Sequence, residues 1–129
     1  MSAGGWIPRL GAAQELPDWL TEEELDYYVQ QFSDAGFRGG INFYRNIHRN
    51  WEITPQLADV QIAQPALFIA GEKDVVIRGA TQEQLTAQMS RVNKDLRGVK
   101  LIPKIGHWVQ QESPEETNAA MVEFLKALD

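Results

Sequence analysis

Ala66-Leu67-Phe68-Ile69-Ala70 is a continuous apolar run of strand length, introduced by Pro65 and stopped by Gly71. A run without polar alternation is expected of a parallel strand covered on both faces. The sequence after it supplies a crossover. Thr81-Gln82-Glu83-Gln84 opens a helix whose buried stripe is Leu85, Met89 and Val92, and a polar Asn93-Lys94-Asp95 turn leads into a second strand around Val99 to Ile102. The pattern is a β-α-β unit. Ser113-Pro114-Glu115-Glu116 then offers an N-cap, an N1 proline and an N3 glutamate for a final helix, with Met121, Leu125 and Leu128 on its apolar stripe.

The part of the chain before Pro55 differs in character. Residues 1–20 are rich in Gly, Ala and Pro and read as an irregular lead-in anchored by Trp6, Ile7, Leu10, Leu16 and Trp19. Thr21-Glu22-Glu23-Glu24 is a capping box, and Leu25, Tyr28, Val29 and Phe32 follow at helical spacing, so a short amphipathic helix ending near Gly36 is predicted. Phe37-Arg38-Gly39-Gly40 reads as a turn. A second helix follows, with Tyr44, Ile47 and Trp51 on one face, and Pro55 closes it. The expected organisation is a helical region over 1–54 and an α/β region over 55–129, with no internal repeat.

Composition narrows the function classes. At 129 residues and 43% hydrophobic content the chain is long enough for one globular domain and too short for two ordinary ones. A net charge of -6 without Lys/Arg clusters disfavours nucleic acid or an anionic membrane as partner. The absence of cysteine removes disulfides, thiolate nucleophiles and Cys-based zinc sites together. Met1-Ser2-Ala3-Gly4-Gly5-Trp6 has no basic n-region, and no segment reaches the ~20 apolar residues of a membrane span. The expected location is the cytoplasm.

Two residues stand where chemistry gathers in a parallel sheet, just past the carboxyl ends of the strands. Asp74 lies in Gly71-Glu72-Lys73-Asp74 and His107 in Gly106-His107-Trp108. If the strands are neighbours, both side chains emerge on one edge, and an Asp can hold one ring nitrogen of a His while the other takes a proton from water or a nucleophile. Alone, Asp74 reads as a solvated loop carboxylate and His107 as a structural histidine. Their matched placement argues for a pair. His48, on a helix rich in Arg and Asn, has no metal-ligand partner at helical spacing and reads as an ordinary surface histidine. By pattern alone Tyr44 is a core residue, Glu22 to Glu24 are first-turn charges favoured by the helix dipole, and Gly39-Gly40 lacks the spacing of a nucleotide loop.

The segments Leu20-Thr21-Glu22-Glu23-Glu24-Leu25-Asp26-Tyr27-Tyr28 and Gly36-Phe37-Arg38-Gly39-Gly40-Ile41-Asn42-Phe43-Tyr44-Arg45-Asn46, with Arg49-Asn50-Trp51, resemble the end of the cap domain in soluble-type epoxide hydrolases. The resemblance continues through Pro65 to Asp74 and through Gly106-His107-Trp108-Val109-Gln110-Gln111-Glu112-Ser113-Pro114-Glu115-Glu116, and so covers the chain from about residue 16 onward. It implies the C-terminal part of an α/β-hydrolase fold, a helical cap remnant followed by a β-α-β-α parallel unit. In that family an aspartate opens an epoxide to a covalent ester, a histidine backed by an acid activates water to hydrolyse it, and two cap tyrosines hold the epoxide oxygen. Asp74 matches the acid, His107 the base and Tyr44 one tyrosine. The resemblance thus overrides the pattern reading of Tyr44, since a phenol donor stabilises the alkoxide that ring opening creates.

The family's nucleophile, its oxyanion-hole loop and its other tyrosine have no counterpart in these residues, and Tyr27 and Tyr28 lie on a different helix from the one that would supply it. The expectation is a truncated or split epoxide hydrolase, taking a small-molecule epoxide without metal or organic cofactor. Its apolar strand edge would be covered by an N-terminal half or by self-association. Two alternatives remain open at this point. One is another α/β-hydrolase, an esterase or a haloalkane-type dehalogenase. The other is a non-catalytic interaction or oligomerising module.

Overall fold

The computed structural model describes residues 13–77 and 79–128. The first twelve residues of the expected lead-in lie outside that range; residues 13–20 contain no helix or strand, and Leu20 N–H closes a turn onto the Pro17 carbonyl at 3.0 Å. The chain divides into two compact units, one running to Arg49 and the other from Asn50.

In the first unit, α1 (Glu22–Ala35) starts at the predicted capping box. Thr21 Oγ1 accepts from Glu24 N–H at 3.2 Å, and Glu24 Oε2 accepts from Thr21 N–H at 2.9 Å, so early helix donors and the cap satisfy one another. Gly36 ends the helix at φ 68°, a conformation glycine adopts without a Cβ penalty. Only Gly36 and Phe37 separate α1 from α2 (Arg38–Arg45). Gly39 and Gly40, expected as a turn, lie inside its first turn. The single second helix predicted from the Tyr44/Ile47/Trp51 face is also broken. Asn46 donates both its N–H, at 3.0 Å, and its Nδ2, at 2.9 Å, to the Asn42 carbonyl, and α3 (Ile47–Ile53) starts after it. Tyr44 therefore sits on a different helix from Ile47 and Trp51. Thr54 Oγ1 donates to the Asn50 carbonyl at 2.6 Å, and a 3-10 turn at Pro55–Leu57 ends the helical stretch.

The second unit, which begins within α3 and includes the 3-10 turn, continues with β1 (Ile62–Gly71), α4 (Gln82–Val92), β2 (Asn93–Ile102), α5 (Val109–Glu112) and α6 (Pro114–Lys126). The two strands pair in parallel from Ile62 opposite Asn93 to Gly71 opposite Ile102, with register shifts between Ile62 and Pro65 and between Ala66 and Leu67, and an unbroken register from Leu67 to Gly71. That is the predicted β-α-β unit. Strand β1 starts three residues before Pro65, and the ladder is irregular between Ile62 and Pro65, where a residue without an N–H is tolerated. Its expected burial on both faces is only partly realised: Ala66 to Ile69 are half-buried, and only Ala70 and Gly71 are buried. Among the described residues β1 pairs with β2 alone, which leaves its other edge open.

Helix α4 carries the second predicted cap, with Thr81 Oγ1 accepting from Gln84 N–H and Gln84 Oε1 accepting from Thr81 N–H. Leu85, 2% exposed, anchors it; Met89 is half-buried, whereas Val92 is exposed, contrary to the predicted stripe. The expected Asn93-Lys94-Asp95 turn is instead the start of β2. Buried Asn93 donates Nδ2 to the Met89 carbonyl at 2.8 Å, which satisfies the helix end and lets the chain pass straight into the strand.

In α6 the proline stands in the first turn as predicted, but Ser113 makes no side-chain cap. The inward face is Thr117, Ala120 and Phe124, while Met121, Leu125 and Leu128 are exposed. The rotation has a visible cause: Thr117, buried, donates Oγ1 to the Val109 carbonyl at 2.9 Å and pins that face against α5.

Candidate active site

Because Gly71 and Ile102 are register partners, the loops leaving β1 and β2 start side by side. Hydrogen bonds then carry the ladder past the strand ends. Glu72 N–H donates to the Ile102 carbonyl at 2.9 Å, Lys73 N–H to the Ile105 carbonyl at 2.8 Å, and Lys104 N–H to Glu72 Oε2 at 2.9 Å. The approach is so close that a Cβ on residue 71 would run into the Ile105 and Gly106 carbonyls, which is why glycine ends the strand.

On this base a turn closed by Asp74 N–H to the Gly71 carbonyl at 3.0 Å lifts Asp74 over the strand end. Both of its oxygens are held. Oδ1 accepts from Val76 N–H at 2.8 Å, in an Asx turn, and Oδ2 meets His107 Nδ1 at 2.9 Å. The Asp74 side chain is 10% exposed and that of His107 50%, so an enclosed carboxylate backs a solvent-facing imidazole. Burial pushes the Asp74 carboxyl up, but the Val76 N–H together with the hydrogen bond and charge of His107 outweighs it, and the carboxyl titrates below its ordinary value. An ionised carboxylate can only accept, so Nδ1 carries the proton and Nε2 is left to take one from water. The Trp108 ring meets the imidazole edge-on at a centroid separation of 5.0 Å.

The lowered pKa has a stability consequence with a definite sign. A depressed carboxyl contributes stability that is present above its unfolded pKa, about 3.9, and is lost as pH falls through the lower folded value. Replacing Asp74 by Asn is expected to remove this component, so that the urea midpoint of the variant falls less steeply than that of the wild type below about pH 4. Parallel pH profiles would contradict it.

Tyr44, the third predicted site residue, is on α2 in the first unit, with 76% of its surface exposed. His48 is exposed on α3. The site also contains two carboxylates to which the sequence reading gave no role. Glu72 ties the two loops together, and Glu112 accepts from Gly106 N–H at 2.6 Å and Trp108 N–H at 2.9 Å. The signal for Glu112 was its position one helical turn after Trp108, which lets its side chain fold back over the peptides around His107. Among the described residues no group of three His, Asp or Glu side chains is placed to hold a metal, and no helix is long and apolar enough to cross a membrane.

No family model matches the chain. Individual proteins do. It is 43% identical over 125 residues to Epoxide hydrolase A of Mycobacterium tuberculosis, an alignment covering 97% of this chain and 38% of that protein. With Bifunctional epoxide hydrolase 2 of Rattus norvegicus it shares 38% identity over 106 residues, 82% of this chain and 18% of the relative. The crystal structure of Epoxide Hydrolase A from Mycobacterium thermoresistibile superposes with a TM-score of 0.87 at 45% identity, over 97% of this chain and 38% of that one. The Vigna radiata epoxide hydrolase gives 0.81 at 32% identity, over 90% and 37%. The chain thus spans well under half the length of the proteins it matches, and it is homologous to the C-terminal portion of epoxide hydrolases of the α/β-hydrolase fold.

Proposed function

We propose that this chain supplies the water-activating machinery of an epoxide hydrolase, with Asp74 as orienting acid, His107 as general base and Tyr44 as a donor to the epoxide oxygen. The observation that carries the reading is the 2.9 Å contact between His107 Nδ1 and an Asp74 carboxylate whose other oxygen is already occupied.

In the first half of the cycle a carboxylate outside these residues attacks an epoxide carbon. The C–O bond of the ring breaks, and the tyrosine O–H protonates the leaving alkoxide. In the second half His107 Nε2 takes a proton from water as the water oxygen adds to the ester carbonyl. Collapse of the tetrahedral adduct expels the diol oxygen, which takes the proton from the His107 imidazolium, and the proton left on the nucleophile's carboxyl returns to the tyrosinate, so that carboxylate, imidazole and phenol are all regenerated. Asp74 stabilises the imidazolium formed on the way. Neither half requires a metal or an organic cofactor. The open edge of β1 is where an N-terminal half of the sheet, or a second copy, would add. A cysteine-free composition is in keeping with a cytoplasmic setting.

The test is a hybrid in which this chain replaces the corresponding segment of Epoxide hydrolase A of Mycobacterium tuberculosis, to which it is 43% identical. The folded hybrid is expected to convert to the vicinal diol an epoxide that the unsubstituted Mycobacterium tuberculosis protein turns over. A folded hybrid that forms no diol would overturn the reading. In the same protein Tyr44→Phe is expected to slow ring opening by about 10²-fold while leaving ester hydrolysis much less affected. Equal slowing of both steps would remove Tyr44 from the proposed role.

A further inference from the structure

His107 is carried by the segment Gly106–Trp108, which belongs to no helix or strand, so regular backbone pairing does not hold it in place. Glu112 supplies the missing restraint. Its Oε2 accepts from Gly106 N–H at 2.6 Å and its Oε1 from Trp108 N–H at 2.9 Å. These donors belong to the Ile105–Gly106 and His107–Trp108 peptides, so one carboxylate holds the backbone before and after the base. Hydrogen bonds to an ionised acceptor are short and roughly twice as strong as neutral ones.

The clamp is itself braced. Glu112 N–H donates back to the Trp108 carbonyl at 2.8 Å, Ser113 N–H donates to the Val109 carbonyl at 3.0 Å, and Thr117 Oγ1 donates to the same carbonyl at 2.9 Å. Val109 is buried, at 6% exposure. On the other side, a Cβ on residue 106 would stand 2.9 Å from Glu112 Oε1, so the glycine before His107 makes room for the carboxylate.

We propose that Glu112 is a positioning residue for the base: it fixes the backbone on both sides of His107 and thereby holds Nδ1 on Asp74 and Nε2 towards the attacking water. The proposal rests on the reading of His107 as the ester-hydrolysing base. Its chemistry demands two acceptor oxygens on one side chain. Glutamine has the same size but offers one oxygen and one NH2 group, so it must set a donor against one of the two N–H groups. Aspartate keeps both acceptors on a shorter stem.

Glu112→Gln in the hybrid is expected to slow ester hydrolysis about tenfold to a hundredfold while ring opening stays within about twofold, because a misplaced base affects only the step that uses it. Glu112→Asp is expected to recover part of that loss and is the second variant should the glutamine protein not fold. A general loss of folded enzyme would lower both steps together. The second readout is independent of epoxide chemistry. The low-field proton signal of His107 Nδ1–H bonded to Asp74 is expected in the wild type and is expected to shift or broaden in the glutamine variant.

Unchanged hydrolysis together with an unchanged Nδ1–H signal would overturn the proposal. If the unsubstituted hybrid forms the ester but does not hydrolyse it, the role of His107 fails. The proton signal then decides by itself whether Glu112 orients the ring.

Discussion

Asp74→Asn is expected to cut turnover of the hybrid by about 10³- to 10⁴-fold, as loss of an orienting aspartate does in a related triad. The effect follows from the two hydrogen bonds that Asp74 makes. Val76 N–H, at 2.8 Å, needs an acceptor, and an asparagine in this place will give it the amide oxygen. The amide NH2 is then turned to His107 Nδ1, which in the wild type donates to a carboxylate oxygen at 2.9 Å. Facing a donor, Nδ1 must become the acceptor, so the proton moves to Nε2 and the base has no lone pair where water is to be activated. Stopped-flow measurement of the ester level is the check. Hydrolysis should collapse while ring opening persists, and a loss of less than about tenfold would show that Asp74 does not set the tautomer.

His107→Gln should have an effect of the same order and confined to the same half of the cycle. Removing a general base costs typically about 10²- to 10⁴-fold in the step it serves. Ring opening uses the carboxylate nucleophile and the tyrosine donor, so it should proceed at close to its normal rate. A single-turnover experiment should therefore show a rapid first phase and a stalled second one. Normal steady-state turnover by the variant would remove His107 as base.

The parts of the fold that could be read from the residues are those with a local physical cause. The capping residues Thr21 and Thr81 and the helix-ending Gly36 each act within a few positions of themselves, and the apolar run Ala66–Ala70 marks a strand by its own composition. The Asp74–His107 pair was legible for a related reason: parallel strands in register bring the residues after their ends together, whatever the side chains between them.

What escaped depends on neighbours. Gly39-Gly40 has the composition of a turn, but the break between the helices already falls at Gly36 and Phe37, so the next helix takes the two glycines in. Asn93-Lys94-Asp95 looks like a loop until the Asn93 side chain bonds Met89 and pairing with Ile62 draws the segment into the sheet. The inward face of α6 is set by the bond from Thr117 to Val109 rather than by its largest apolar residues. Glu112 passed as part of a motif because its side chain bonds backbone N–H groups, and its distance from Trp108 was the one sign of this in the sequence.

The central claim, that this chain provides the group which hydrolyses an alkyl-enzyme ester, is tested most directly by the intact mass of the His107→Gln hybrid quenched soon after mixing with epoxide. The predicted spectrum shows the protein heavier by the mass of one epoxide molecule, with the adduct persisting long after the unsubstituted hybrid has returned to its free mass. A variant that releases diol and regains its free mass as fast as the unsubstituted hybrid would contradict the account.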